Sequence, residues 1–386
     1  MRRSTLSALA ALLAAAVAAP AGAQDAYRIG MSAAITGRAA TTYAPTYEAY
    51  KVYFKRVNDA GGINGKKVEI EYEDDRGEPQ RAAAAAKKLV EKSLLLVNAS
   101  ISATYKPFMT ESETSKVPLL FGGGVCPREA FPPANPLIFC STSFGSKWDS
   151  RFVLGFIKEQ AGGKKVKIGF AAQDIPVSRI ELEFAEQEAK AMGFDTIPVV
   201  VVPSAAADFT PFAQKLKDAG ADWVFSWAPW PHEIGVFEAL QRIGWKGNYA
   251  LYGHQQTQDE LARLKAPNLF PFGGNSLFIE GAPIHAEITN LVKGQSALPA
   301  HHMSEGWVSA MVLEASLRAC GWPCSREKLA KAMTTVTVDT KGLRGGPIEW
   351  TADNHYRKAT FYKVYRWDPA RNGIAAVGGW TRLDIK

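Results

Sequence analysis

The chain has only four cysteines in 386 residues, and beyond its opening segment it has no apolar run long enough to cross a bilayer. It also lacks any long lysine/arginine run or basic helix, which speaks against nucleic acid as a partner. The formal net charge is +7, or +5 without Arg2 and Arg3, a bias that serves solubility and mildly favours anionic ligands. No Gly-x-Ser-x-Gly elbow, His-Glu-x-x-His pair or Gly-Lys-Ser/Thr phosphate loop is present. His301-His302 has no further ligand at metal-binding spacing. These absences point away from hydrolase, nucleotide and metal chemistry, so no catalytic residue, no metal ligand and no cofactor is assigned.

The opening segment has its own signature. Arg2 and Arg3 precede an apolar run from Leu6 to Ala19, followed by Pro20-Ala21-Gly22-Ala23-Gln24. That order of basic, apolar and small residues predicts a cleavable signal peptide over 1–23, with the cut after Ala23. The run is short and rich in alanine, unlike a membrane span, and no cysteine at the cut offers a lipid anchor. The expected destination is the periplasm. In that oxidising compartment the cysteines should pair locally, Cys126 with Cys140 across a Pro-rich loop and Cys320 with Cys324 across Gly321-Trp322-Pro323.

About 360 residues remain, more than one core usually organises. Tyr27–Met31 and Val68–Tyr72 alternate like strands, and Tyr47, Tyr50, Phe54 and Val57 recur at helical spacing until Gly61-Gly62. Pro79 opens an alanine-rich helix to Val90, and apolar runs follow at 94–97 and 117–121. After a Pro-rich segment the rhythm restarts, with strands expected at 166–170, 196–202, 223–227 and 249–252 and helices between them at 179–192, 209–219 and 233–243. Helices at 305–320 and 325–333, then strands at 348–350 and 360–367, complete the two units. Alternating strands and helices imply an α/β fold with largely parallel sheets.

Within this pattern, Asn58-Asp59-Ala60-Gly61-Gly62-Ile63-Asn64-Gly65-Lys66-Lys67 resembles the turn that ends the first helix in branched-chain amino acid binding proteins of ABC importers. The similarity continues at Glu73-Asp74-Asp75, Pro79, Lys116-Val117-Pro118-Leu119-Leu120, Asp208-Phe209-Thr210-Pro211 and Gly220-Ala221-Asp222-Trp223-Val224, covering most of the mature chain. The resemblance implies a type I periplasmic binding fold, a Venus-flytrap of two Rossmann-like lobes joined by three crossovers near Gly145, Phe278 and Ala359. It implies lobe 1 over 24–145 plus 279–359 and lobe 2 over 146–278 plus 360–386. Asp74-Asp75 falls in the family's surface turn. The implied partners are a small-molecule ligand and an inner-membrane ABC permease, and the protein is expected to be a monomer.

The resemblance also carries over ligand-binding positions. The serine that holds a ligand carboxylate maps onto Ser102, with Ser100 and Thr104 nearby; an N-cap role for Ser102 is compatible with this. The next loop maps onto Gly122-Gly123-Gly124-Val125, where Gly123 either approaches the ligand or simply forms a turn before Cys126. Val125 stands where the family has threonine. Gln255 stands where the family places the acid that pairs with an amino acid's ammonium, and Val177 and Pro229 or Trp230 stand where it has tyrosines. Neither Glu280 nor Asp174 is placed in the cleft by the sequence. Tyr43, Trp148, Trp227 and Trp230 add aromatic surface that serves either core or cleft. These departures suggest a small carboxylate, branched-chain amino acid-like or aromatic, with His254 or Gln255 at its far polar end. Two other readings compete: a receptor of the same fold that hands its closed state to a membrane kinase, and a secreted hydrolase, a common role of secreted α/β proteins.

Overall fold

The computed structural model describes residues 25–385, so the expected leader at 1–23 lies outside the described residues. The first lobe is built from β1 (Ala26–Ala33), α1 (Ala40–Asp59), β2 (Lys67–Asp74), α2 (Pro79–Val90), β3 (Leu95–Ala99), α3 (Tyr105–Ser115), β4 (Leu119–Gly123) and β5 (Ile138–Cys140). Its sheet is wholly parallel in the order β2-β1-β3-β4-β5. The apolar runs predicted as strands are buried on both faces, as a parallel sheet sandwiched by helices requires. The turn after α1 explains its glycines. Gly61 and Gly62 have φ of +97° and +77°, and a Cβ on Gly62 would lie 2.1 Å from the Lys66 carbonyl.

The second lobe contains α4 (Lys147–Ala161), β6 (Lys167–Gln173), α5 (Pro176–Ala191), β7 (Asp195–Thr196), β8 (Val200–Val202), α6 (Thr210–Asp218), β9 (Trp223–Ser226), α7 (Trp230–Arg242), β10 (Asn248–Tyr252), α8 (Thr257–Leu264) and β11 (Leu269–Gly273). The chain then returns to the first core through α9 (Pro283–Val292), α10 (Ser304–Cys320), α11 (Arg326–Met333) and the small pair β12 (Thr337–Val338) and β13 (Ile348–Glu349). It ends on the second sheet with β14 (Ala359–Asp368) and β15 (Gly373–Asp384), giving the order β15-β14-β11-β10-β9-β6-β7, with β8 also pairing β6.

The single strand expected at 196–202 is two, because Pro198 between β7 and β8 cannot donate to the ladder. β15 was not expected at all. It is an edge strand with few buried positions, so it carries no apolar alternation to read. Both expected cysteine pairs are bonded, Cys126 to Cys140 and Cys320 to Cys324.

Two of the three passages between the lobes are tied together by one buried ion pair, and a neighbouring arginine joins the third to them. Glu305, in the first turn of α10, accepts from Arg344 Nη2 (3.0 Å), both side chains being 2% exposed. It also accepts from the backbone N–H of Ser143 (2.6 Å), the Ser143 hydroxyl (2.8 Å) and Asn275 Nδ2 (2.6 Å). Arg344 in turn donates to the Ser141 carbonyl (2.7 Å) and Asn275 Oδ1 (3.2 Å). Ser141 and Ser143 lie in the first passage and Asn275 in the second. Arg357, just before β14, donates to the Thr142 carbonyl and so draws in the third. Breaking a buried pair strands a charge at a cost of about 3–5 kcal/mol. Glu305→Ala should therefore lower the unfolding free energy by about that amount in urea denaturation.

Candidate functional site

In each lobe the loops at the carboxyl ends of the parallel strands face the other lobe, which is where open α/β sheets hold ligands. They line a cleft of about 530 Å³. The first lobe contributes Thr42, Tyr43, Ile101, Ser102, Gly124 and Val125. Phe144 comes from the first passage between lobes, and Ile175, Val177, Trp227, Ala228, Pro229, Tyr252 and His254 come from the second lobe. The structure thus brings six sequence-selected residues to one cavity: Tyr43, Ser102, Val125, Val177, Trp227 and His254.

Local hydrogen bonding separates the hydroxyls after β3. Ser100 donates to Asp75 (2.7 Å) and Thr104 to the Ile101 carbonyl (2.8 Å), so of the three only Ser102 stands in the cleft wall with its hydroxyl uncommitted. Ser102 is not an N-cap. It is the first residue of a 3₁₀ turn, 102–104, that runs directly into α3, and the capping position belongs to Ile101. Asp75, expected in a surface turn, is instead fully buried, because Ser32, Ser100 and the Gly77 N–H satisfy it. In the glycine loop the residue at the cleft is Gly124 rather than Gly123. Gly124 has φ of +79°, and a Cβ there would come within 2.7 Å of Tyr105 Oη, whereas Gly123 sits in β4 against Ala99. The Val125 carbonyl accepts from Tyr105 (2.8 Å).

The opposite wall is aromatic. Phe144 stacks on Tyr252 at 4.3 Å between centroids and meets Trp227 edge-on at 6.3 Å. Trp227 is held by its indole N–H to Asp149 (3.1 Å) and by its carbonyl, which accepts from Ser178 (2.6 Å). His254 Nε2 lies 3.1 Å from the Ala228 carbonyl and 3.2 Å from Glu233 Oε2, while its Nδ1 is buried without a partner. Burial pushes the carboxyl of Glu233 up to about 7, against the opposing pull of His254. Burial likewise pushes Asp149 up to about 7, against hydrogen bonds from Tyr362, Gly145 and Trp227.

Four selected residues lie elsewhere. Trp230 opens α7 behind the wall, edge-on to His254 at 5.8 Å. Gly123 lies within β4, against Ala99. Gln255 lines a neighbouring cavity of about 500 Å³ with Asn275, His301 and Glu305. Trp148 is turned away because Ser146, at φ +49°, redirects the chain into α4; it stacks on Phe131 at 5.2 Å in a separate cavity that includes Arg128 and Glu181. Of the two acids considered as substitutes for Gln255, Asp174 pairs with Arg179 (3.4 Å) and Glu280 with Lys363 (2.7 Å), and neither lines the cleft. Phe144 and Tyr252 were not selected from sequence. The signal available was a lone aromatic in the small-residue run 141–146 and a tyrosine at a strand end.

A family model for periplasmic binding proteins matches residues 26–373. The chain belongs to the periplasmic binding protein family. No curated protein matches it significantly. Among solved structures, a solute-binding protein of an ABC transporter from Rhodopseudomonas palustris BisB5, in complex with 3,4-dihydroxybenzoic acid, superposes with a TM-score of 0.79 at 19% identity, covering 94% of this chain and 98% of that one. A leucine-binding protein from Thermotoga maritima gives 0.74 at 16% identity over 92% and 98%. An R. palustris solute-binding protein in complex with benzoate gives 0.73 at 15% identity over 92% and 96%. At these identities the likeness shows the fold, and this periplasmic binding protein has the type I architecture of its neighbours.

The raised carboxyls make a pH prediction. Asp149 and Glu233 hold protons in the folded chain that the unfolded chain releases near its ordinary carboxyl range, about pH 4. Their contribution to stability is present below that range and is lost as pH rises through about 7. The thermal unfolding midpoint should fall between pH 5 and 8, and Asp149→Asn or Glu233→Gln should flatten that fall.

Proposed function

We propose that this protein captures an aromatic carboxylic acid of the benzoate type in the periplasm and presents it, as a monomer and without turnover, to the permease of an ABC importer. The observation that carries the ligand class is the composition of the cleft: among its described lining residues none is acidic, and one wall is Phe144, Tyr252, Trp227 and His254. An amino acid's ammonium would be desolvated there without a carboxylate to pair it, which is costly. A planar ring instead gains area and stacking against that wall. In this reading the carboxylate meets Ser102 and the N–H groups of the Gly124-Val125 loop. His254 donates its Nε2–H to Ala228, so its Nδ1 is an acceptor suited to a phenolic hydroxyl.

Solved structures of the same fold support the class, since two of them hold benzoate or 3,4-dihydroxybenzoate. The lobes are taken as 24–145 with 279–359 and 146–278 with 360–386, closing about the three passages. A ligand touching both lobes favours the closed state by its differential affinity.

Isothermal titration should give tighter binding of 4-hydroxybenzoate than of benzoate, and no binding of leucine. Ser102→Ala should weaken binding roughly ten- to a hundredfold, the loss of a hydrogen bond to a charged group worth about 1.5–3 kcal/mol. His254→Phe should remove the preference for the hydroxylated acid. Tight leucine binding would overturn the ligand class.

A further inference from the structure

Away from the cleft, three metal-ligating side chains converge from opposite lobes. Asp259 stands in the first turn of α8, on the second lobe. His301 and His302 stand on a single 3₁₀ turn, 300–302, immediately before α10 on the first lobe. His301 Nε2 lies 2.8 Å from Asp259 Oδ1 and His302 Nε2 lies 2.7 Å from Oδ2. The two imidazoles are nearly perpendicular, at 84°, and one ligand atom from each of the three residues lies within 4.8 Å of the others.

Both sides of the cluster are anchored. The fully buried Met303 follows the histidines directly, and Leu261 buries α8 two residues beyond Asp259. Asp259 is half exposed and the histidines are partly so, which leaves an approach from solvent.

We propose that Asp259, His301 and His302 form a binding site for a divalent transition-metal ion of the zinc type, and that the bound ion clamps the two lobes together. Two imidazole nitrogens and one carboxylate oxygen make a three-ligand set that zinc completes with water, whereas calcium and magnesium demand oxygen ligands. Zinc–ligand bonds of about 2.0–2.1 Å place tetrahedral ligand atoms about 3.3 Å apart; the two His–Asp contacts, at 2.7 and 2.8 Å, must open slightly, and all three ligand atoms already lie within 4.8 Å of one another. Neither lobe has the full set: the first supplies two ligands and the second one. The ion therefore binds best when the lobes face each other, and by reciprocity any tightening of solute binding by the metal equals the tightening of metal binding by solute. The clamp rests on the lobe-closing reading above; the metal site itself does not depend on which solute the cleft takes. The histidine pair carried no sequence signal because its third ligand lies 42 residues upstream on another element.

The test uses the tag-free mature chain, stripped with a chelator and titrated with zinc chloride by calorimetry in the absence of any organic ligand. One ion per chain is expected, with Asp259→Ala, His301→Ala and His302→Ala each weakening binding at least tenfold, and with calcium and magnesium giving no heat. Solution scattering should show that zinc alone contracts the wild-type chain and leaves Asp259→Ala unchanged. Absence of zinc binding, binding that survives all three substitutions, or equal binding of calcium at the same residues would overturn the site. Zinc binding at these residues without contraction would overturn the clamp. Failure of benzoate-type acids to bind while zinc still binds would count against the cleft reading alone.

Discussion

The buried Glu305–Arg344 pair is the constraint on which the two-lobed arrangement depends. Passages between lobes expose backbone polar groups to a region with little water, and those groups need partners. Glu305 and Arg344 supply them for the first passage, at the Ser143 N–H and the Ser141 carbonyl, and hold the second through the Asn275 side chain, while Arg357, beside the third, bonds the Thr142 carbonyl of the first. A purely apolar junction would leave these N–H and C=O groups unsatisfied. A charged pair buried to this degree is tolerable because both Glu305 oxygens and all three Arg344 nitrogens are hydrogen-bonded.

The same junction orders the cleft. Ser143, fixed by Glu305, accepts from Tyr252 Oη (2.8 Å), and Tyr252 is the face on which Phe144 stacks. The aromatic wall is thus continuous with the interlobe ion pair through one hydroxyl. Across the cleft the polar groups are sparse. A binding surface of this kind discriminates by shape and by a few uncommitted polar atoms rather than by charge. Cross-lobe contacts such as Gln256 Nε2 to the Thr41 carbonyl (2.6 Å) show the lobes drawn together around it.

Much of the fold was legible because buried parallel strands and amphipathic helices leave strong periodic traces. The helix 79–90 was read to the residue, and the glycine turn after α1 was read with its reason. Several strands were missed or merged: β15 because it is half-exposed at an edge, β7 and β8 because Pro198 interrupts an otherwise apolar run, and the short buried β5 and β11 because each lies near or contains proline. The cleft was partly legible. Residues placed just after strands by the family resemblance, such as Ser102, Val177 and His254, reach the cleft, while Trp148, in the first turn of α4 after β5, packs elsewhere because of a single left-handed residue before it.

By itself the sequence determined the α/β class, the two-lobed family resemblance, the cysteine pairs and the absence of an acid at position 255, since each depends on local pattern or residue type. Only the tertiary structure decided which hydroxyl after β3 stays uncommitted, that Gly124 rather than Gly123 lines the cleft, and that Phe144 and Tyr252 form its wall. It alone brought Asp259 to His301 and His302. Those outcomes depend on side chains competing for partners supplied by distant segments, and such competition has no trace in residue order.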